Sequence, residues 1–146
     1  MNSLHDAHAR AALERRLDDL QSDSPRQWGR MRIDQMLSHL NNSMRMALGE
    51  LATEPRRAPV PRALIKWFAL RVPHPRNAPT ATELRASGRY EIEGERTQLR
   101  QLLDRVAQRP LEQAWPVHPL FGRMNGGEWS RLQHKHVDHH LRQFGL

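Results

Sequence analysis

The stretch IDQMLSHLNNSMRMALGEL, residues 33–51, decides the fold. Its apolar residues recur every three or four positions, which is the spacing that places side chains on one face of an α-helix. That face comprises Ile33, Met36, Leu37, Leu40, Met44, Ala47, Leu48 and Leu51. Such a long apolar stripe predicts a helix over about residues 32–50 that packs against other helices.

Another helix is predicted near the N-terminus. Leu13, Leu17 and Leu20 fall at positions i, i+4 and i+7, which share one face of a helix. The serines and the proline that follow are residues that end helices. We therefore predict a first helix over about residues 4–21, ahead of the strongly apolar second one.

Two more helices are predicted in the C-terminal half. Leucines and a valine recur at helical spacing over about residues 95–108, and a proline follows them. Asn125 and Glu128 have the N-x-x-E spacing of a capping box, which marks the start of a helix. A helix over about residues 126–143 follows, and Gly145 ends it.

The connection between the second and third of these helices is long, at roughly 40 residues, whereas connections in bundles are usually short. Three prolines exclude a helix from residues 52–62, ALIKWFAL at 63–70 predicts a short helix, and RYEIE at 89–93 alternates weakly, as an extended segment does. The pattern predicts an all-α four-helix bundle with one long crossover that contains a short extra helix. The length fits one domain over residues 1–146.

The composition excludes several kinds of site. With no cysteine, the chain can form neither disulfides nor thiolate metal sites, so any metal must bind to His, Asp or Glu. No segment has the run of about 18–20 apolar residues that spans a membrane, and the charged N-terminal stretch lacks the apolar core of a signal peptide. We expect a cytoplasmic protein with no membrane partner.

The formal net charge of +7 raises the question of nucleic-acid binding. Of the 23 basic residues only Lys66 and Lys135 are lysines, which leaves 21 arginines. These arginines are spread along the whole chain, often beside Asp or Glu. A solvated surface explains this distribution better than a phosphate-binding face does, so we expect no nucleic-acid partner.

The segment HKHVDHH, residues 134–140, contains four of the nine histidines. At about 100° per residue, His136 and His140 project from the same side of the last helix, one turn apart. Side chains at i and i+4 are about 5–6 Å apart at Cβ, so two imidazoles can converge on one metal ion. His136 with His139 is a less favoured pair, and His134 lies on the opposite face, where we expect it to be exposed.

The His136–His140 pair has two other interpretations. A buried histidine often does no more than hydrogen-bond a carbonyl or a carboxylate, although two at i, i+4 each need such a partner. A zinc protease motif requires a glutamate directly after the first histidine, as general base. Here that position is Val137, and Asp138 points away from the pair. The spacing therefore permits metal binding and lacks the proteolytic base.

A third ligand is needed, because catalytic zinc sites typically use three protein ligands. His5 and His8 lie near a terminus that we expect to fray. His74 and His118 each precede a proline in a loop. His39 lies at the edge of the apolar stripe of the second helix, where it can face a cavity or be half-exposed. The helical periodicity does not choose between these two positions.

Two blocks of the sequence resemble the DinB/YfiT-like superfamily, and more narrowly a branch of it known as a domain of unknown function. They are WGRMRIDQMLSHL at 28–40 and HPLFGRMNGGEWSRLQHKHVDHHLRQFG at 118–145, and the resemblance covers nearly the whole chain. Members are four-helix bundles of down-up-up-down type. Many bind a divalent metal through one histidine on the second helix and an H-x-x-x-H pair on the last, which implies His39, His136 and His140 as ligands.

The resemblance also implies a function. Characterised relatives include thiol-dependent S-transferases and isomerases, in which the metal activates a low-molecular-weight thiol. We therefore expect a metal-dependent transferase or hydrolase with an open site and a small-molecule substrate, holding Zn or Ni, or else Fe, Mn or Cu. The alternative is a non-catalytic bundle, acting in stress response or interaction, with a structural or vestigial metal site. Related bundles often pair, so a homodimer is also expected.

Two aspartates and four tryptophans are further candidates for residues around such a site. Asp34 and Asp138 are candidates for hydrogen bonds to a ligating histidine. The tryptophans are large apolar residues that proteins usually bury, at least in part. We predict that all four lie in the core or in a cavity wall: Trp28, Trp67, Trp115 and Trp129.

Overall fold

The computed structural model describes residues 1–146, and its regular structure is helical. The helices are α1 (Ala7–Asp19), α2 (Ile33–Leu48), α3 (Arg62–Arg71), α4 (Ile92–Gln108) and α5 (Gly126–Gln143), with a 3-10 turn at Thr82–Leu84. These bounds confirm the predicted helices to within a few residues. The extended segment expected at 89–93 is not a strand, because Glu91 caps α4 and the helix begins at the next residue.

Four of the helices close into a ring. Helix α2 packs against α4 and α5, and α1 packs against the same two partners, which confirms the four-helix bundle. The long connection from α2 to α4 contains α3, which rests on α5, and the 3-10 turn, which packs against α2. None of the helices combines the length and the apolar character needed to cross a membrane.

The bundle surrounds one apolar core of 24 buried residues. Helix α2 contributes the most continuous part of it, since Met36, Leu37, Leu40, Met44 and Ala47 are fully buried. Burial of each large side chain contributes about 1.5–3 kcal/mol to folding. The predicted apolar stripe is therefore the face that α2 turns towards α4 and α5, and only its last two leucines remain half-buried.

Side-chain caps explain where two of the helices begin. The carboxylate of Asp6 accepts hydrogen bonds from the backbone N–H groups of His8 (2.9 Å) and Ala9 (3.1 Å), so α1 begins later than predicted. At α5, Asn125 Oδ1 accepts from the Glu128 N–H (2.9 Å), and Glu128 Oε2 accepts from the Asn125 N–H (3.0 Å). This reciprocal pair confirms the predicted capping box.

Two predictions about buried and exposed residues are wrong. His134 is only 7% exposed, because α5 has neighbours on more than one side and the face opposite His136 packs against α1. Trp67 is 47% exposed, since α3 lies outside the ring of four helices. Trp115 and Trp129 are buried as predicted, and Trp28 is half-buried.

Polar contacts from the two lysines hold α3 against α5. The Lys66 ammonium lies 2.9 Å from a carboxylate oxygen of Glu128. The Lys135 ammonium donates to the carbonyls of Ala69 (2.5 Å) and Val72 (2.7 Å) at the C-terminal end of α3. Only Leu70 of α3 is buried. Helix α3 is therefore attached largely by these polar contacts.

Candidate metal centre

Three histidines from two helices meet beside the core. His39 lies on α2, and His136 and His140 lie one turn apart on α5. The Nε2 atom of His136 is 2.9 Å from Nε2 of His39 and 3.2 Å from Nε2 of His140. One nitrogen from each ring can be chosen so that all three lie within 4.8 Å of one another. The packing of α2 on α5 thus assembles the set that the resemblance implied.

Hydrogen bonds at Nδ1 determine the tautomers of His39 and His140. Nδ1 of His39 lies 2.9 Å from the carbonyl oxygen of Leu84 in the 3-10 turn. Nδ1 of His140 lies 2.8 Å from Oε1 of Gln143, whose amide nitrogen donates to the Trp28 carbonyl (3.0 Å). Both oxygens can only accept, so each Nδ1 carries the proton. The Nε2 atom of both neutral rings is therefore an unprotonated acceptor.

The tautomer of His136 follows from a short chain of hydrogen bonds. Its Nδ1 lies 3.0 Å from Ser43 Oγ. That hydroxyl donates its single proton to Oε1 of Gln133 (3.0 Å), whose amide nitrogen donates back to the Ser43 carbonyl (3.3 Å). Because the Ser43 proton is already used, the hydroxyl must accept from His136 Nδ1–H. His136 therefore also presents an unprotonated Nε2.

The three Nε2 lone pairs point into one small space with no proton between them. Nitrogen ligands at about 2.0–2.1 Å from an ion are about 2.9–3.4 Å apart when the angle at the ion is about 90–110°. The two separations that involve His136, 2.9 and 3.2 Å, lie within that range, and all three nitrogens lie within 4.8 Å of one another. Without a cation the same contacts would be repulsive, so the donor set fits a divalent metal that accepts imidazole nitrogen.

Burial keeps these histidines in the neutral form that ligates metals. Loss of solvation lowers the pKa of His140 to about 3 and the pKa of His136 well below 6.5. The same cause lowers the pKa of His39, and its hydrogen bond to Leu84 opposes the shift only in part. All three rings are therefore ready to bind a cation at neutral pH without first releasing a proton.

A glycine supports the geometry around His140. Gly29 has φ of 78°, a left-handed conformation that favours glycine. A Cβ atom at this position would lie only 2.5 Å from the Gln143 amide nitrogen. Glycine therefore lets the backbone approach closely enough for Gln143 to bond the neighbouring carbonyl of Trp28 while it holds the His140 ring.

The three histidines line a cavity of about 1070 Å³. His74 and His118, which sequence reasoning set aside as loop residues, also line it, although neither joins the three-nitrogen group. The His74 ring lies 6.0 Å from the His136 ring and 5.7 Å from the His139 ring. No local pattern could have placed them there, because both loops reach the cavity through contacts with distant helices.

The aspartates predicted to hydrogen-bond the ligand histidines form ion pairs with arginines instead. Asp34 forms an ion pair with Arg32 (2.9 Å), and Asp138 forms ion pairs with Arg16 (2.7 Å) and Arg142 (3.1 Å). That prediction is wrong, because both carboxylates bind guanidinium groups and neither accepts a hydrogen bond from a ligand ring. Neutral oxygen acceptors hold the rings instead: a backbone carbonyl, a serine hydroxyl and a glutamine amide.

One known protein family matches nearly the whole chain. The model of one family, described as "Protein of unknown function (DUF1569)", matches residues 1–145. The chain belongs to the DUF1569 family. Neither a search of curated proteins nor a search of solved structures found a significant match. The DUF1569 description assigns no activity and names no wider superfamily, so the function must be argued from the geometry of the three histidines.

Proposed function

We propose that this DUF1569 protein is a divalent-metal-dependent enzyme of DinB/YfiT-like type, in which His39, His136 and His140 hold the ion. The observation that carries the proposal is which nitrogen of each ring holds the proton. All three Nδ1 atoms donate to fixed oxygens, and the three bare Nε2 atoms face one another. Structural sites for zinc usually have four protein ligands, whereas three ligands beside a cavity are typical of catalytic sites.

The chemistry that such an ion supplies when bound is activation of a coordinated water or low-molecular-weight thiol by lowering its pKa. The protein's own residues would orient the ligands. Ser43 and Gln143 hold two of the rings in place, and α3 covers part of the cavity. Transfer of the thiol to an electrophile, or hydrolysis of the substrate, would follow from attack by that nucleophile.

A protease-like mechanism is not part of this proposal. The position after the first histidine is Val137, which is fully buried in the core. The cavity lining contains neither aspartate nor glutamate, so no carboxylate is placed to act as a general base there. A carboxylate therefore does not supply the base, and coordination to the ion would lower the pKa of the nucleophile instead.

The ligand set limits the identity of the metal without selecting one. Neutral imidazole suits Zn, Ni, Fe and Cu, whereas Mn prefers oxygen ligands. We propose Zn or Ni. The alternative of a non-catalytic bundle with a structural or vestigial site is less well supported, because a structural ion needs no large cavity beside it.

Metal content tests the proposal directly. Untagged protein that has been stripped and reloaded with Zn or Ni should contain about one ion per chain by elemental analysis. His136→Ala should lose most of it, whereas His8→Ala, which removes an exposed histidine, should retain it. Equal metal content in these two variants, or none in the native protein, would falsify the proposal.

Catalysis needs a second measurement. Metal-loaded and stripped protein should be assayed with a panel of low-molecular-weight thiols and electrophilic substrates. Turnover that depends on both the metal and His136 supports the enzyme. Full metal occupancy without any metal-dependent turnover across the panel favours the non-catalytic alternative.

A further inference from the structure

The charge of the cavity wall differs from that of the rest of the molecule. Arg30, Arg56, Arg57 and Arg76 line it, whereas not one of the 16 acidic residues of the chain does. Elsewhere, several arginines pair with carboxylates across helices, as Arg16 does with Asp138. The side chains that line the cavity therefore carry positive charge and no negative charge, and a bound divalent ion would add to it.

The four arginines differ in what they already contact. Arg56 forms an ion pair with Glu83 (3.1 Å), so its charge is largely satisfied. Arg30, Arg57 and Arg76 form no ion pair with a carboxylate, and none of their guanidinium groups makes a hydrogen bond within the chain. Arg76 is thus a cation in the cavity wall with its donors available.

Arg76 also has a defined place beside the metal centre. Its guanidinium lies over the Trp28 ring, 4.7 Å from the centroid. The Trp28 ring lies 5.5 Å from the ring of His139, which in turn lies 5.1 Å from the ring of His140. Stacking on Trp28 holds this charge in the wall of the cavity that the three histidines also line.

Another part of the wall is apolar. Ile65, Phe68 and Ala69 of α3 line the cavity, together with Val72 directly after the helix. The side chain of Phe68 remains 50% exposed even so, which leaves apolar surface available to a ligand. Cationic and apolar groups in one cavity match a molecule that carries an anionic group on an apolar body.

We propose that this cavity binds a small organic anion, with its carboxylate or phosphate group on Arg76 and its apolar part against α3. The guanidinium can bind either group through two parallel hydrogen bonds. The proposal rests on the function proposed above, because it makes the anion the substrate that is presented to the metal. It adds the chemical class of that substrate.

Four six-carbon probes vary the charged group while the apolar chain stays nearly the same. Hexanoate, hexyl phosphate, hexan-1-ol and hexylamine are titrated at constant ionic strength into ¹⁵N-labelled metal-loaded protein, and the indole N–H signal of Trp28 is followed. At least one anion should shift this signal saturably, and the better of the two identifies the group. The alcohol should bind at least about tenfold more weakly, because it lacks a charge-assisted hydrogen bond. Hexylamine should not bind.

A matched pair of variants tests the role of Arg76. Arg76→Gln should weaken anion binding about tenfold or more, and Arg76→Lys should restore part of the loss. Arg71→Gln is the control, because Arg71 is also exposed and also lies over a tryptophan, 5.3 Å from the Trp67 centroid, but does not line the cavity. Equal affinities in the Arg76→Gln and Arg71→Gln variants would overturn the inference, as would anions that bind no better than the alcohol.

Stripped protein separates this inference from the proposed function. If the anions need the metal and not Arg76, they bind the ion directly and the assignment to Arg76 is wrong. If metal content is one per chain and no anion binds, the substrate class fails while the metal centre stands. If the protein takes up no metal but binds anions through Arg76, the anion site stands and the proposed function fails.

Discussion

The Nε2 atoms of His39 and His136 lie 2.9 Å apart, although both rings already use their Nδ1 protons elsewhere. Two lone pairs at this distance repel each other unless a positive charge lies between them. Protonation of one ring could supply that charge, but burial lowers the pKa of both histidines and opposes it. A divalent cation between the two nitrogens removes this repulsion.

Loss of the Ser43 hydroxyl should weaken metal binding without unfolding the bundle. Ser43 accepts the Nδ1 proton of His136, and removal of such a partner typically costs about 10–100-fold in metal affinity. Zinc affinity of Ser43→Ala would be measured by competition with a chelator. Ser38→Ala removes another buried serine of α2, whose hydroxyl makes no hydrogen bond to the site, and should bind zinc normally. Unchanged affinity in Ser43→Ala would contradict the tautomer assignment.

Zinc should stabilise the folded protein through the same three rings. A ligand at 100 times its Kd adds about 2.7 kcal/mol to the free energy of unfolding, which is about 9 °C in Tm for a chain of this length. The rise on zinc addition should disappear in His140→Ala and persist in His8→Ala. The comparison uses the zinc-induced increment, since His140→Ala also alters the metal-free protein. An increment of equal size in both variants would place the zinc elsewhere.

The free energy of unfolding of the metal-free protein should fall as the pH decreases below about 6.5. Burial lowers the pKa of His118 from 6.5 to about 4. Between these values the unfolded chain takes up a proton that the folded protein does not, so acid favours unfolding by about 1.4 kcal/mol per pH unit for this group. Above 6.5 both states are neutral and the contribution is constant.

The His118→Asn variant measures how much His118 contributes to this pH dependence of the free energy of unfolding. Its Nδ1 accepts hydrogen bonds from the backbone N–H groups of Leu120 and Phe121, both at 3.1 Å, and the side-chain oxygen of asparagine can replace that acceptor. Denaturant unfolding at pH 7.5 and 5.0 in a chelator should therefore show a smaller loss of stability for His118→Asn than for the native protein. Identical losses would show that His118 does not remain neutral.

Removal of the Lys135 ammonium should loosen α3 selectively. This group donates to the Ala69 and Val72 carbonyls at the end of α3, where a positive charge is favourable. In Lys135→Met, hydrogen exchange of the α3 amides should become about tenfold faster, while α2 amides exchange as before. Arg71→Met, which removes an exposed charge from the same helix end, is the control. Faster exchange throughout the bundle would indicate a global loss of stability instead.

Much of the fold could be predicted because its signals are local. The bounds of α5 agree with prediction because the capping box at Asn125 and the glycine at Gly145 lie within a few residues of its ends. The start of α4 was missed by three residues, since Glu91 caps it and glutamate is a weak signal at that position. The close approach of His136 to His140 followed from their i, i+4 spacing alone.

The sequence by itself determined the helices, their apolar faces and the His136–His140 pair, because these depend on residues a few positions apart. The choice of His39 came from a family resemblance, and only the packing of α2 on α5 brought its Nε2 to a residue 97 positions away. Packing of α1 on α5 buried His134, and packing of α2 on α5 gave His136 a serine acceptor instead of an aspartate. Lys135 of α5 holds the end of α3, from which the loop with His74 and Arg76 continues to the cavity. These outcomes depend on contacts between distant segments, and no local pattern encodes which segments will meet.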